Sequence, residues 1–177
     1  AAEFEGSIYP NILSVFGSPP DALDGDPRVT ILVSTFPGTS LFGLTVAGYF
    51  DDANQYTDAE AMFMELGHSN EREMIYVNRE FLTADIFTGE LDQTILGIFA
   101  HEYQHLVHWA LDRDESLWFN EGCSEFAMHV CGYDASIAQH MEAFAVAPTF
   151  SLTEWANALE SYGATYFYLR FLADHYG

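Results

Sequence analysis

The feature that most constrains this chain is a pair of histidines inside an apolar stretch. His101 and His105 lie within residues 92–111, where apolar side chains occur on every side of the predicted helix, so the helix is expected to be buried. Residues four positions apart share one face of a helix, so both imidazoles can bind a single metal ion. Burying such polar groups without a partner is costly. The pattern therefore predicts a metal site in the core.

Glu102 follows the first histidine, where its carboxylate can take a proton from a water that the metal activates. Zinc is the metal this chemistry favours, because it acidifies water and polarises a carbonyl group. A catalytic zinc ion takes three protein ligands and keeps one position open. The next predicted helix, 118–130, supplies two candidate ligands, Glu121 and Glu125.

These two segments resemble those of a known enzyme family. The motif H-E-Y-Q-H at 101–105, followed by W-F-N-E-G-C-S-E at 118–125, resembles the gluzincin metallopeptidases. Together with S-N-E-R-E-M at 69–74, the pair is similar to hyicolysin-like secreted bacterial peptidases. The resemblance covers about residues 69–130. It implies a zincin-like fold and an endopeptidase, since no exopeptidase signature of the type G-x-M-E-N occurs.

The resemblance also implies a role for each residue of the site. Zinc is expected to bind His101, His105 and Glu121, with Glu102 as the general base and Glu125 as a partner of a ligand histidine. Spacing and geometry disagree on the third ligand. Nineteen residues separate His105 from Glu125, the gap familiar from thermolysin-like members, whereas 15 residues separate His105 from Glu121. A helix running about 9 Å past His105, and a second returning about 7 Å, place Glu121 level with His105 and Glu125 level with His101. We therefore expect Glu121 to bind the metal.

A donor opposite the metal is also needed to stabilise the oxyanion. In several gluzincins this donor is a tyrosine on a helix after the glutamate ligand. The segment 161–166 resembles such a helix, and Tyr162 is the candidate donor. A role for Tyr162 and Tyr166 as ordinary core tyrosines explains the pattern equally well.

The order of the predicted elements indicates an α+β fold. A β-branched run at 29–36 predicts a strand buried on both faces. Further strands are predicted at 41–50 and 74–78, and helices at 58–66, 92–111, 118–130, 135–145 and 152–176. We expect one domain over 1–177, with a small twisted sheet in a mainly β subdomain (1–90) and the zinc-site helix in a mainly helical one (91–177).

The composition of the chain limits the classes of molecule that it can bind. The chain has 27 acidic residues against five arginines and no lysine, a net charge of −22, which repels nucleic acids and anionic membranes. We expect a polypeptide substrate and a monomer.

Ala1–Gly6 reads like the start of a processed protein, so we expect secretion from a bacterial or archaeal cell, with the signal segment outside this chain. The charge fits a halophilic source and an ordinary secreted enzyme equally well. Cys123 and Cys131 are predicted to be free thiols.

A second cation is suggested near the N-terminus. Asp21, Asp24 and Asp26 surround Gly25, a composition that suits calcium because hard cations take several carboxylate oxygens. The spacing is not that of an EF-hand, and a plain Asp-rich turn is the alternative.

Three functions remain open on the sequence alone. The first is a zinc-dependent endopeptidase. The second is a catalytically silent zincin-fold module that binds a partner through its acidic surface, and the third is a zinc hydrolase of another substrate class. The intact base Glu102 favours an enzyme, because a binding module has no use for it.

Overall fold

The computed structural model describes residues 2–20, 23–36, 40–41, 44–82 and 91–177. The helices, in chain order, are a π-helical turn at Phe4–Ile8 that continues into α1 (Tyr9–Phe16), then α2 (Asp58–Phe63), α3 (Gln93–Leu111), α4 (Leu117–Val130), α5 (Asp134–Val146) and α6 (Leu159–Tyr176). The strands are β1 (Thr30–Ser34), β2 (Ser40–Leu41), β3 (Leu44–Thr45), β4 (Gly48–Phe50) and β5 (Met74–Asn78). Short 3₁₀ turns lie at Asp52–Gln55 and Arg79–Phe81. The predicted α+β class is confirmed at this level.

A three-stranded sheet with β5 at its centre supports the site helix. β1 pairs with β5 in parallel, and β4 pairs with it antiparallel. All five residues of β5 are buried, as expected for a central strand, and its bounds match the prediction. The predicted strand at 41–50 is instead divided between β4 and the small β2–β3 hairpin.

The prediction that the first strand is buried on both faces is wrong. In the described part of the chain β1 is an edge strand with β5 as its neighbour, and Leu32 and Val33 are 43% and 42% exposed. A run of β-branched residues indicates an extended backbone, but it carries no information about the strand's place in the sheet.

The core forms around α3, which contacts β4, β5, α1, α4 and α5. Burial all round this helix agrees with its apolar composition. The N-terminal helices were not predicted; they bury Phe4, Ile8 and Ile12, and the Phe4 ring lies edge-on to Tyr103 at 5.1 Å. The final helix begins at Leu159, seven residues later than predicted from 152.

Two further predictions concern the cysteines and the proposed calcium turn. Cys123 and Cys131 are free and buried, and burial raises the pKa of both thiols to about 12. At the proposed calcium turn, the Arg28 guanidinium donates to both carboxylate oxygens of Asp26, an arrangement that favours the plain Asp-rich turn. Asp21 lies outside the described residues.

None of the described helices has both the length and the apolar character needed to cross a bilayer.

Gly48 allows β4 to approach α3 closely. A Cβ atom at this position would lie 2.7 Å from Ile98 Cγ2, 3.0 Å from Glu102 Cγ and 3.1 Å from the Tyr76 carbonyl oxygen. We expect Gly48→Ala to lower the free energy of unfolding by about 1–3 kcal/mol through overpacking. Urea denaturation measures this change. Gly6→Ala is the control, because nothing lies within 4 Å of a Cβ there; equal stabilities of the two variants would contradict the prediction.

Candidate metal centre

Two consecutive helices bring the three predicted ligands together. His101 and His105 lie on α3, and Glu121 lies on α4 after the short connection at 112–116. Glu121 Oε2 is 3.2 Å from His101 Nε2 and 3.7 Å from His105 Nε2. One ligand atom from each residue lies within 4.8 Å of the others, and within the described residues this is the one cluster suited to a metal ion.

The residues present fit a zinc ion. Glu121 Oε2 is buried and has no hydrogen-bond partner, although it points to the space between the two imidazoles. A buried, unsatisfied carboxylate oxygen is costly unless a cation or donor satisfies it. Two imidazoles and one carboxylate are also a donor set typical of catalytic zinc, which keeps a fourth position open.

Each candidate ligand histidine has a side-chain oxygen near its second ring nitrogen. His105 Nδ1 donates to Asn120 Oδ1 at 2.6 Å, and His101 Nδ1 lies 3.4 Å from Glu125 Oε1. These contacts leave both Nε2 atoms facing Glu121, the orientation that metal binding requires. Glu125 lies beside His101, as predicted from helical rise, whereas no role was predicted for Asn120. The position of Asn120, immediately before the candidate ligand, was the available signal.

The carboxylates and imidazoles shift one another's protonation. Burial by itself lowers the pKa of His101, but its contacts with Glu121 and Glu125 outweigh this effect and raise the pKa well above its ordinary value. Burial lowers the pKa of His105. Although burial opposes it, the two histidines lower the pKa of Glu121. A dication bound between these groups would compensate the charge of the carboxylates.

Glu102 directly follows His101 on α3, and only 8% of its surface is exposed. Burial raises the pKa of its carboxyl group to about 7, while His101 and the backbone N–H of Phe50 on β4 act in the opposite direction. A carboxyl group with a pKa near neutrality can both accept and return a proton at physiological pH. This is the property that a general base and acid needs.

A cavity of about 740 Å³ opens beside the centre. Its walls include His101, Glu102 and Glu125, the backbone at Gly48, and a mostly apolar surface. Asn78 fixes the rim that precedes β4, since its side chain donates to the Val46 carbonyl oxygen at 3.0 Å. The cavity therefore places a peptide-sized space against the candidate ligand His101 and the candidate base Glu102.

Tyr162 lines the same cavity, as predicted for an oxyanion donor. Its hydroxyl donates to Asn157 Oδ1 at 3.2 Å, and burial raises its pKa. Its ring stacks on His140, with centroids 5.0 Å apart and planes 24° from parallel. Tyr166, by contrast, is a buried core residue at 5% exposure. The sequence analysis missed His140, which lies on α5 at no characteristic spacing from the motif.

Comparison with known proteins does not place the chain in a family. No protein-family model matches it, and no curated protein matches it. The chemistry of the centre is therefore inferred from its own donor atoms and their surroundings.

Removing the metal should destabilise the protein. A ligand that binds the native state alone adds about 2.7 kcal/mol at 100 times its Kd. For a chain of this size each kcal/mol shifts Tm by roughly 2–4 °C, so chelation of the zinc-loaded protein should lower Tm by about 5–10 °C. Calorimetry measures the shift. Zinc added back should restore Tm and magnesium should not, because imidazole ligands select against it. An unchanged Tm after verified metal removal would contradict a zinc site here.

Proposed function

We propose that this protein is a zinc-dependent endopeptidase with a zincin-like fold and a gluzincin-type ligand set. One observation carries the proposal. The ligand atoms of His101 and His105 lie close to Oε2 of Glu121, which is buried and has no hydrogen-bond partner. Glu102, with a pKa of about 7, lies on the same helix between the two histidines. A ligand set and a base in this arrangement suit hydrolysis at a carbonyl group.

The residues of the chain divide the chemistry among them. Zinc, when bound, supplies a Lewis acid that polarises the carbonyl and acidifies water. Glu102 takes the proton of the attacking water and later gives it to the leaving amine. Asn120 and Glu125 hold the imidazoles of His105 and His101 in their ligating orientation. We assign to Tyr162 the donation of a hydrogen bond to the oxyanion, which requires its hydroxyl to leave Asn157 when substrate binds.

The shape of the site supports a polypeptide as the substrate. β4 is an edge strand in the described sheet, and its residue Gly48 lies on the wall of the cavity. An extended peptide can pair its backbone with such an edge while its side chains enter adjoining pockets. The net charge of −22 favours neutral or basic peptides over acidic ones.

One experiment separates the endopeptidase from the other two functions. The purified protein is analysed for bound metal and incubated with casein, with and without 1,10-phenanthroline. We expect about one zinc ion per chain and internal cleavage of casein that the chelator abolishes and added zinc restores. Zinc without cleavage of any protein substrate would favour the acidic binding module or a hydrolase of another substrate class. Absence of tight zinc binding would overturn the proposal.

A further inference from the structure

Glu125 joins the metal centre to a histidine that lies outside it. Its carboxylate is 1% exposed, and its two oxygens face different imidazoles. Oε1 lies 3.4 Å from His101 Nδ1, while Oε2 lies 2.7 Å from His140 Nδ1 on α5. A carboxylate can only accept, so His140 Nδ1 carries the hydrogen and donates. The stronger of the two contacts is thus the one to His140.

This contact fixes the direction of the carboxylate. Glu125 Oε1 has no hydrogen bond that meets normal geometry, so it alone does not hold the side chain in place. A buried carboxylate that lost the donor of His140 would have both oxygens poorly satisfied, and it would rotate towards any other donor. The orientation of the His101 ring depends on that carboxylate. His140 can therefore affect the ligand without touching it.

The face of the same imidazole packs against Tyr162. The two rings are stacked, and Trp155 packs against Tyr162 in a T-shaped arrangement with the ring centroids 4.8 Å apart. Gly163 makes the stacking possible, because a Cβ atom there would overlap the carbonyl oxygen of His140 and force α6 away from α5. His140 and Tyr162 both line the cavity beside the ligands.

We propose that His140 is a positioning residue with two separable functions, one through its Nδ1–H and one through the face of its ring. The Nδ1–H holds Glu125, and through it the zinc ligand His101. The ring face holds Tyr162 against the cavity. The inference rests on the proposed zinc site, and its first function concerns metal affinity alone.

Two substitutions separate these functions. His140→Asn keeps an N–H donor near the position of Nδ1 and removes the ring, whereas His140→Phe keeps the ring and removes the donor. His175→Asn is the matched control, since His175 is exposed on α6 and its Nδ1 donates to the Phe171 carbonyl oxygen of the preceding turn. Zinc affinity is measured by competition with a chromophoric chelator, and kcat and KM are measured at saturating zinc.

The expected results differ between the two variants. His140→Phe should weaken zinc binding by about tenfold, the lower end of what loss of outer-shell support produces. His140→Asn should bind zinc within about threefold of the parent, but with a lower kcat and a nearly unchanged KM, because Tyr162 has lost its platform. His175→Asn should match the parent in all three quantities.

A double-mutant cycle tests whether the effect on the metal passes through Glu125. In a Glu125→Ala background no carboxylate remains for His140 to hold, so His140→Phe should add no further loss of zinc affinity. Additive losses would overturn the inference, as would equal zinc affinities of His140→Phe and the parent. If His140→Phe does not fold, His140→Leu, which also lacks the donor, provides the comparison of zinc affinities. If the parent protein does not bind zinc, the proposed function is overturned. If the parent binds zinc and the substitutions leave zinc affinity, kcat and KM unchanged, this inference alone is overturned.

Discussion

Glu102→Gln should leave zinc binding intact and reduce casein hydrolysis by about 10²–10⁴-fold, the usual contribution of general acid–base catalysis. The amide is nearly the same size as the carboxylate, and Glu102 supplies none of the three candidate ligand atoms at the centre. The substitution therefore removes proton transfer and little else. Metal content and initial rates, measured on the same preparation, check both parts of the expectation.

Glu142→Gln is the control for this substitution. Glu142 is exposed on α5, so the same change of charge there should alter the rate by little. If Glu102→Gln were as active as Glu142→Gln, Glu102 would not be the base. If it lost its zinc, the residue would have a role in metal binding that the geometry does not assign to it.

Glu121→Ala should abolish tight zinc binding, whereas Glu125→Ala should weaken it by about 10–100-fold. The difference follows from position. Glu121 Oε2 faces Nε2 of both histidines, while Glu125 reaches only the Nδ1 side of His101. Competition with a chelator of known affinity measures both losses on one scale.

The same question has a direct structural answer. A crystal structure with zinc should place a Glu121 oxygen at about 2.0–2.2 Å from the ion. A Glu125 oxygen at that distance would show that the longer gap from His105, rather than the local geometry, identifies the third ligand. Reversed affinities of the two alanine variants would lead to the same conclusion.

The helices and the centre were largely predictable, because both depend on local patterns. Helical periodicity marked α3 and α4, and a simple count of helical rise placed Glu121 level with His105 and Glu125 level with His101. In the structure Glu121 Oε2 lies 3.7 Å from His105 Nε2, and Glu125 Oε1 lies 3.4 Å from His101 Nδ1. Both inferences need only the geometry of one helix and its neighbour along the chain. The activity assigned to the centre stays a proposal.

The features that were missed depend on contacts between distant parts of the chain. The exposure of β1 follows from which strand it pairs with, and the buried N-terminal helices follow from a contact between Phe4 and Tyr103. His140 reaches Glu125 because α5 packs against α3 and α4. None of these pairings has a fixed spacing in sequence, so no periodicity or motif can indicate them.

The short connection between α3 and α4 has a consequence for how the protein folds. All three candidate ligands lie within residues 101–121, so bringing them together closes only a small loop, and the entropy lost in loop closure rises with loop length. Contacts that are local in sequence also form faster than distant ones. Zinc that meets the unfolded chain needs only this helical pair to find its ligands, without waiting for β1, β4 and β5 to assemble. The ion is therefore expected to act as a template that speeds refolding of the helical half, in addition to stabilising the finished fold.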